Sequence, residues 1–243
     1  MERNTTRSKE RDNEFKFAFI QTIPVMLGYI CLGIAFGLML QNAGYHFVWA
    51  FICSLCIYAG SMQFVLVTLL TGGVNLLYAA IMTLFINGRQ IFYGLSLIDK
   101  FKAMGKAYPY MIFSLTDETY SLLCSVKIPD DLNEKRTFFL ISLFNHLYWI
   151  AGSVIGAVAG QLVSFDTTGV DFSMTALFIV IVLNQWREPE SHRSALTGFV
   201  VGTIFLIILG PDRFLVPSLA VVSLFLIFMR ERKGKKEVTD ELV

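Results

Sequence analysis

The chain has 243 residues, of which 55% are hydrophobic and 22 are Phe. These proportions exceed those of ordinary water-soluble domains and indicate an integral membrane protein. The formal net charge is only +1, and half of the 20 Lys and Arg residues lie before residue 17 or after residue 229 among acidic neighbours, which argues against a nucleic-acid-binding protein.

Long apolar segments predict an all-α bundle of seven or eight membrane spans at residues 17–229, between a polar tail at 1–16 and a basic tail at 230–243. The N-terminal tail does not have the pattern of a cleaved signal peptide. In chain order, the predicted spans cover residues 17–40, 47–70, 74–97, 107–126, 138–163, 172–186, 194–209 and 214–229. The last three are short for a hydrocarbon core of roughly 30 Å, so some spans are expected to be half-length or broken.

The first and fifth predicted spans are rich in glycine. In the fifth, glycine recurs at every fourth position and therefore lies on one face of a helix. Such faces predict close packing between membrane helices. The likeness of the two spans also suggests an internal repeat, which is common in transporters. The glycines are Gly28, Gly33 and Gly37 in the first span and Gly152, Gly156 and Gly160 in the fifth.

The basic residues predict the orientation in the plasma membrane. Cytoplasmic loops are enriched in Lys and Arg, and eight crossings from a cytoplasmic N-terminus place the loop at 127–136 and the C-terminal tail inside. The same count places Lys100, Lys102 and Lys106 outside, against the rule. Either the rule fails at this loop, or the segment around Asp117 does not make a simple crossing.

Three charged residues lie near the middle of predicted spans: Arg89, Asp117 and Glu118. An ionised side chain at the bilayer centre costs on the order of 2.5 to 3.5 kcal/mol, so these residues are expected to face protein or water. Arg89 can neutralise one carboxylate, and the second acid is then expected to hold a proton. Asp117 and Glu118 are therefore candidate proton-coupling residues.

A structural ion pair between Arg89 and one acid is the simpler explanation, because buried ion pairs fix the register of helices. An aqueous cavity is the alternative. The polar neighbours of these charges favour the cavity, since an ion pair needs no further donors and acceptors. They are Asn87, Gln90, Thr116 and Thr119.

The segment YAGSMQF in the second span has three small residues in succession, Ala59, Gly60 and Ser61, followed by Gln63. These residues predict an interruption of the helix that exposes backbone amides and carbonyls in the membrane, with a second interruption at Gly88. Half-helix ends of this kind bind carboxylate and ammonium groups. Close helix packing at the small residues is the alternative.

Motifs for metal binding and for common enzyme classes are missing from the sequence. Cys53 and Cys56 form a CxxC without a second pair, and the three histidines do not have HExxH spacing. Phosphate-binding, dinucleotide-binding and GxSxG motifs do not occur. We therefore expect no metal, no cofactor and no enzymatic activity.

The blocks YAGSMQF, NGRQIFYGLSL, LTDETYSLL and TALFIVIVLNQW resemble, in order and spacing, the large subunit of the AzlC-type branched-chain amino acid exporters. The resemblance covers about residues 15–230. It implies secondary export of leucine, isoleucine and valine, extending to methionine or azaleucine. It also implies a small hydrophobic partner of the AzlD type.

A zwitterionic amino acid needs a cationic site, an anionic site and an apolar pocket. We expect Arg89 or an exposed helix N-terminus to bind the carboxylate, and Asp117 or Glu118 to bind the ammonium group or a coupling proton. A permease or channel for another small solute, or a structural membrane subunit, is the alternative function. The expected substrate-binding residues are Gly60, Ser61, Gln63, Asn87, Arg89 and Glu118.

Overall fold

The computed structural model describes residues 2–162 and 192–210, together with individual residues among 179–225. Side chains of residues 2–10, Arg89, Phe92 and 193–195 lie outside this description. The described part is helical. Its helices are α1 (Glu2–Asn42), α2 (Phe47–Cys56), α3 (Gly60–Thr71), α4 (Leu76–Lys102), a 3-10 turn (Gly105–Ala107), α5 (Tyr108–Phe113), α6 (Asp117–Ser125), α7 (Glu134–Leu162) and α8 (His192–Leu209).

The two glycine-rich helices α1 and α7 pack directly against each other. A Cβ added at Gly33 would lie 2.9 Å from the backbone nitrogen of Ser153, and one added at Gly156 would overlap the backbone of Ile34. Only glycine permits this approach. The packing predicted for the first and fifth spans is therefore confirmed, except that Gly28 lies in open space.

Helices α1 and α7 run parallel, because successive contacts between them occur in the same order along both helices. In the first half of α1 and at the start of α7, Glu14 Oε2 forms an ion pair with Arg136 Nε at 3.0 Å. Near the end of each helix, Gln161 Nε2 donates to Gln41 Oε1 at 3.2 Å. We call these two ends of the pair the Glu14 end and the Gln41 end.

Helices α2 and α3 form a hairpin that begins and ends toward the Gln41 end, here called the first hairpin (residues 47–71). At its turn, the ring of Tyr58 lies 6.4 Å from that of Tyr29 in α1. Further along α3, the ring of Phe64 lies 5.9 Å from that of Phe36. Since Phe36 follows Tyr29 in α1, α3 returns toward the Gln41 end.

Helices α5 and α6 form the second hairpin (residues 108–125), which begins and ends toward the Glu14 end. In α5, Tyr110 contacts Phe139 near the start of α7. In α6, Thr119 contacts Asn145 further along α7, and Leu123 then packs in the buried cluster that includes Phe138. Helix α6 therefore returns toward the end from which α5 started.

Helix α4 connects the two hairpins. Its first turns pack with α3, where Tyr78 contacts the cluster of Met62 and Leu69. Its last turn carries Lys100, whose Nζ lies 3.0 Å from Glu134 Oε1 at the start of α7. Helix α4 therefore ends at the Glu14 end.

This arrangement differs from eight simple crossings. Among the described residues, Arg11–Asn42 and Glu134–Leu162 are long and apolar enough to cross a membrane, and a third span exists if Leu76–Gly88 and Tyr93–Lys102, which meet at 73°, are counted as one. The predicted spans at 47–70 and 107–126 correspond instead to the first and second hairpins, each made of two short helices. The predicted spans at 172–186 and 214–229 lie mostly outside the described residues.

The chain divides into two compact units, one of residues Met1–Ala79 and Ile86–Thr175 and one of Ala80–Phe85 and Ala176–Val243. All contacts given above lie within the first unit. In the second unit, α8 coincides with the predicted seventh span and has 18 residues.

Candidate functional site

The turn of the first hairpin has an unusual backbone. Tyr58 has φ of 43°, a left-handed conformation that costs a residue with a side chain roughly 1 to 2 kcal/mol. Helix α3 then begins at Gly60, and its N-cap residue Ala59 has no side-chain capping bond among the described residues. Backbone strain of this kind is concentrated at functional sites, where surrounding contacts hold it in place.

Helix α6 begins at the two acidic residues of the second hairpin. Thr116 is its N-cap, and its hydroxyl accepts from the backbone N–H of Thr119 at 3.3 Å. Asp117 and Glu118 form the first turn, where carboxylates are stabilised by the positive end of the helix dipole. Asp117 is half-buried, whereas Glu118 is exposed.

The turn of the second hairpin meets α1 and α7 in a set of hydrogen bonds that we call the junction: Tyr29, Thr116, Glu118, Thr119 and Asn145. The hydroxyl of Tyr29 lies 2.6 Å from Thr116 Oγ1 and 2.8 Å from Glu118 Oε2. Thr116 donates to Thr119 Oγ1 at 2.9 Å, and Asn145 Nδ2 donates to the same oxygen at 3.0 Å. One acidic side chain is thus connected to buried hydroxyl and amide groups on three helices.

The two hairpins also meet each other, around His146 of α7. The ring of Tyr58 lies 4.2 Å from that of His146 and 6.2 Å from that of Phe113, at the end of α5. His146 Nε2 is 3.1 Å from the carbonyl oxygen of Ser54, and its Nδ1 is 3.2 Å from the hydroxyl of Tyr110. Both ring nitrogens therefore have protein partners, so His146 connects the two hairpins.

Several polar atoms near the turns are buried and have no hydrogen-bond partner within the described part of the chain. They include Tyr58 Oη, Ser114 Oγ and Asn145 Oδ1. The Tyr58 hydroxyl lies near the hydroxyls of Thr119 and Tyr29 without a well-aligned hydrogen bond to either. Buried polar atoms normally have partners, and their clustering at the turns is suited to binding a polar ligand or water.

The structure gives a position for most of the predicted site residues. Gly60 and Ser61 are the first residues of α3, and no atom lies within 4 Å of a Cβ added at Gly60. Gln63 is fully buried in the same helix. Asn87 is half-buried in α4, while the side chain of Arg89 lies outside the described residues. The convergence of Arg89 with the two acids therefore stays a prediction.

Sequence reasoning missed several residues of this site, among them Tyr29 and Tyr58. Tyr29 lies in a glycine-rich apolar stretch and Tyr58 next to the small residues of YAGSMQF, and both are buried. A tyrosine hydroxyl near the middle of a predicted span is a usable signal, because it needs a partner where water is scarce.

A cavity of about 590 Å³ lies between the end of α4, the end of α6 and the start of α7. Lys100, Asp130 and Glu134 give it charged lining, and Leu123 and Phe138 are among its apolar lining residues. The cavity, at the Glu14 end, is therefore lined by positively charged, negatively charged and apolar residues.

Comparison with known proteins supports the resemblance seen in the sequence. A family model described as AzlC protein matches residues 24–163. The "Branched-chain amino acid transport protein AzlC" of Bacillus subtilis (strain 168) is 40% identical over 93% of this chain and 89% of its own length. An "Uncharacterized membrane protein" of Helicobacter pylori (strain ATCC 700392 / 26695) is 41% identical over 90% and 96%. The "Inner membrane protein YgaZ" of Escherichia coli (strain K12) is 27% identical over 76% and 80%. No solved structure matches.

Proposed function

Because the chain belongs to the AzlC family, we propose that it is a membrane transporter of branched-chain amino acids and not an enzyme, and that it exports them by using the proton motive force. The junction is the observation that carries this proposal, because it connects the acid Glu118 to buried hydroxyls where interrupted helices meet. Transporters bind substrates and coupling ions at such interruptions.

The substrate carboxylate is proposed to bind at the N-terminus of α3. The helix begins at Gly60 beside open space, and the amides of a first helical turn attract anions. Ser61 in the same turn adds a hydroxyl group. Arg89 on α4 supplies the cationic alternative, and Asn87 lies two residues before it on the same helix.

The ammonium group is proposed to bind near the acids of α6. Glu118 is exposed and lies at the junction, so it can contact a ligand from the side that does not face Tyr29. The rings of Tyr58 and Phe113 lie beside the turns and provide apolar surface for a branched aliphatic side chain.

The proposed orientation has both termini in the cytoplasm of a cell-membrane protein. Lys100 pairs with Glu134, so the basic loop at 99–106 lies at the same end of the α1–α7 pair as Glu14 and the loop at 127–136. Basic residues then gather on one side, as the positive-inside rule requires. A small AzlD-type membrane protein is proposed as the partner.

Leucine counterflow tests the proposed activity. Proteoliposomes loaded with unlabelled leucine should accumulate labelled leucine, and reconstitution with and without the AzlD-type subunit shows whether the partner is needed. We expect Glu118→Gln to lower uptake roughly 10- to 100-fold, the loss of one charged contact of about 1.5 to 3 kcal/mol. Asp117→Asn is expected to lower uptake or remove its dependence on pH.

Asp131→Asn is the matched control, because it removes an exposed carboxylate from the loop at 127–136, outside both the junction and the lining of the cavity. It should transport leucine like the wild type. If Glu118→Gln and Asp117→Asn both transport leucine as the wild type does, these acids have no part in the mechanism. Equal uptake of sugars or inorganic ions in a competition panel would instead favour a general permease, and no leucine uptake with either preparation would contradict the proposed function.

A further inference from the structure

The cavity at the Glu14 end is lined by buried apolar residues and by exposed charged ones. Leu123 and Phe138 are almost completely buried and belong to one hydrophobic cluster. Lys100, Asp130 and Glu134 are exposed. The volume of about 590 Å³ lies within the range of roughly 300 to 1,000 Å³ that is usual for small-molecule sites. A small ligand with a charged head and an aliphatic side chain matches this lining.

The ion pair in the cavity can be separated at little cost. Lys100 Nζ lies 3.0 Å from Glu134 Oε1, and both side chains are 56% exposed. Exposed ion pairs of this kind contribute little to stability. Lys100 Nζ also lies 5.2 Å from the centre of the Phe138 ring, so the ammonium group is next to the apolar lining. Lys100 is thus placed to bind the anionic group of a ligand whose side chain packs in the cavity.

The cavity also has a carboxylate to spare. Within the described part of the chain, Asp130 makes no ion pair, so the lining offers two carboxylates to one ammonium group. A zwitterion can therefore replace the ion pair without leaving a charge uncompensated. Its carboxylate would bind Lys100, and its ammonium group would bind Glu134 and Asp130 through charge-assisted hydrogen bonds.

Helix α6 connects this cavity to the turn of the second hairpin. Leu123 lines the cavity and lies five residues after Glu118, which is roughly 8 Å along the helix axis. The Glu14 end is the proposed cytoplasmic side, from which the substrate of an exporter arrives. We propose that the cavity is a second binding site, specific for aliphatic α-amino acids, at which the substrate enters before it reaches the turns. This inference rests on the transport proposed above.

The native Cys124 allows binding to be measured without transport, because it lines the cavity and is exposed. In full-length protein with Cys31, Cys53 and Cys56 replaced by Ser, leucine should slow alkylation of Cys124 by N-ethylmaleimide. At ten times its dissociation constant the effect should be roughly tenfold, because about one site in eleven is then empty. Lys127→Cys in a background without Cys124 is the control: it is exposed, outside the lining, and should react at the same rate with and without leucine.

Leucine analogues test the chemical class of the ligand. Isocaproate lacks the ammonium group of leucine, and isoamylamine lacks its carboxylate. Each should protect Cys124 roughly tenfold less well than leucine, since each loses one charged contact. Protection by phosphatidylethanolamine and not by leucine would identify a lipid site and overturn the proposal.

Variants separate this site from the one at the turns. Lys100→Gln should need roughly tenfold more leucine for the same protection, whereas Glu118→Gln should be protected like the wild type. If Lys100→Gln does not fold, Asp130→Asn and Asp131→Asn provide a matched pair of exposed neighbours. The first lines the cavity and should weaken protection, and the second does not line it and should have no effect.

Counterflow tests the role in entry. Lys100→Gln should raise the leucine concentration for half-maximal uptake roughly tenfold and leave the maximal rate unchanged. The proposal is overturned if leucine does not protect Cys124, if protection is unchanged in both Lys100→Gln and Asp130→Asn, or if Lys100→Gln has the wild-type concentration dependence. Protection in a protein that shows no leucine counterflow would support the binding site and contradict the proposed transport.

Discussion

Gln63 satisfies three polar groups at the turn of the first hairpin. Its Oε1 accepts from Trp149 Nε1 at 2.8 Å and from the backbone N–H of Ala59 at 3.2 Å, and its Nε2 donates to Ser54 Oγ at 3.5 Å. The side chain is fully buried. These contacts favour a role in holding the interrupted helix against α7, and direct contact of Gln63 with a substrate stays a prediction.

Replacing Gln63 with Leu should destabilise the protein, because the indole N–H of Trp149 and the N–H of Ala59 lose their acceptor. Each buried unsatisfied donor costs about 1 to 3 kcal/mol, so we expect the free energy of unfolding in detergent to fall by about 2 to 4 kcal/mol. Gln161→Leu, at an exposed glutamine that pairs with Gln41, should change it by less than about 0.5 kcal/mol. Equal stability of the two variants would contradict this role.

At the scale of elements, the contact between α1 and α7 depends on glycine. A Cβ at Gly37 would lie 2.6 Å from the backbone nitrogen of Ala157, and one at Gly152 would lie 2.8 Å from the carbonyl oxygen of Ile30. Backbone atoms cannot move aside as flexible side chains do. Any larger residue therefore has to separate the two helices, whose spacing positions both hairpins.

Gly156→Ala tests this dependence, because the added methyl group would overlap the backbone of Ile34. We expect a loss of stability of roughly 1 to 3 kcal/mol and a smaller folded fraction in size-exclusion chromatography. Gly28→Ala is the matched control on α1, since no atom lies within 4 Å of its added Cβ. This variant should be neutral, or more stable by up to about 1 kcal/mol.

The sequence alone predicts some of the places where the helices break but not where the chain goes after each break. Small residues at Ala59–Ser61 predict the interruption at which α3 begins, and Gly88 lies at the bend of α4. The sequence predicts no interruption at Asp117, where α6 begins. An apolar segment of about 20 residues has the same composition whether it crosses the membrane or returns. The ion pair Lys100–Glu134 distinguishes the two cases, because it places the end of α4 at the Glu14 end. Such contacts between residues that are distant in sequence cannot be read from local periodicity.

At the scale of the whole molecule, α1–α3 and α4–α6 have the same order of elements, a long helix followed by a hairpin, in opposite directions. Helix α1 runs toward the Gln41 end and is followed by a hairpin that starts there, whereas α4 runs toward the Glu14 end and is followed by a hairpin that starts there. Inverted repeats of this type place a binding site where the halves meet. The internal repeat suggested by the sequence linked the first and fifth spans, while the structure favours α1–α3 and α4–α6 as the repeated parts.

The sidedness of two loops distinguishes this arrangement from eight simple crossings. With crossings at 47–70 and 107–126, residue 73 lies on the side of the N-terminus and residue 102 on the opposite side. With two returning hairpins, the two positions exchange sides, because only α4 crosses between them. Single cysteines at Gly73 and Lys102, both exposed positions, therefore report on both hairpins at once. The background variant needs its four native cysteines replaced.

We expect a membrane-impermeant thiol reagent applied to intact cells to label Gly73→Cys and not Lys102→Cys. Lys127→Cys serves as the control, because both arrangements place it on the side of the N-terminus, and it should be labelled only after the cells are opened. Arg11→Cys should behave in the same way. Labelling of Lys102→Cys but not Gly73→Cys from outside would contradict the returning hairpins. The junction would then lose its geometric basis, since Tyr29 meets Thr116 and Glu118 only if α6 turns back at the depth of Tyr29.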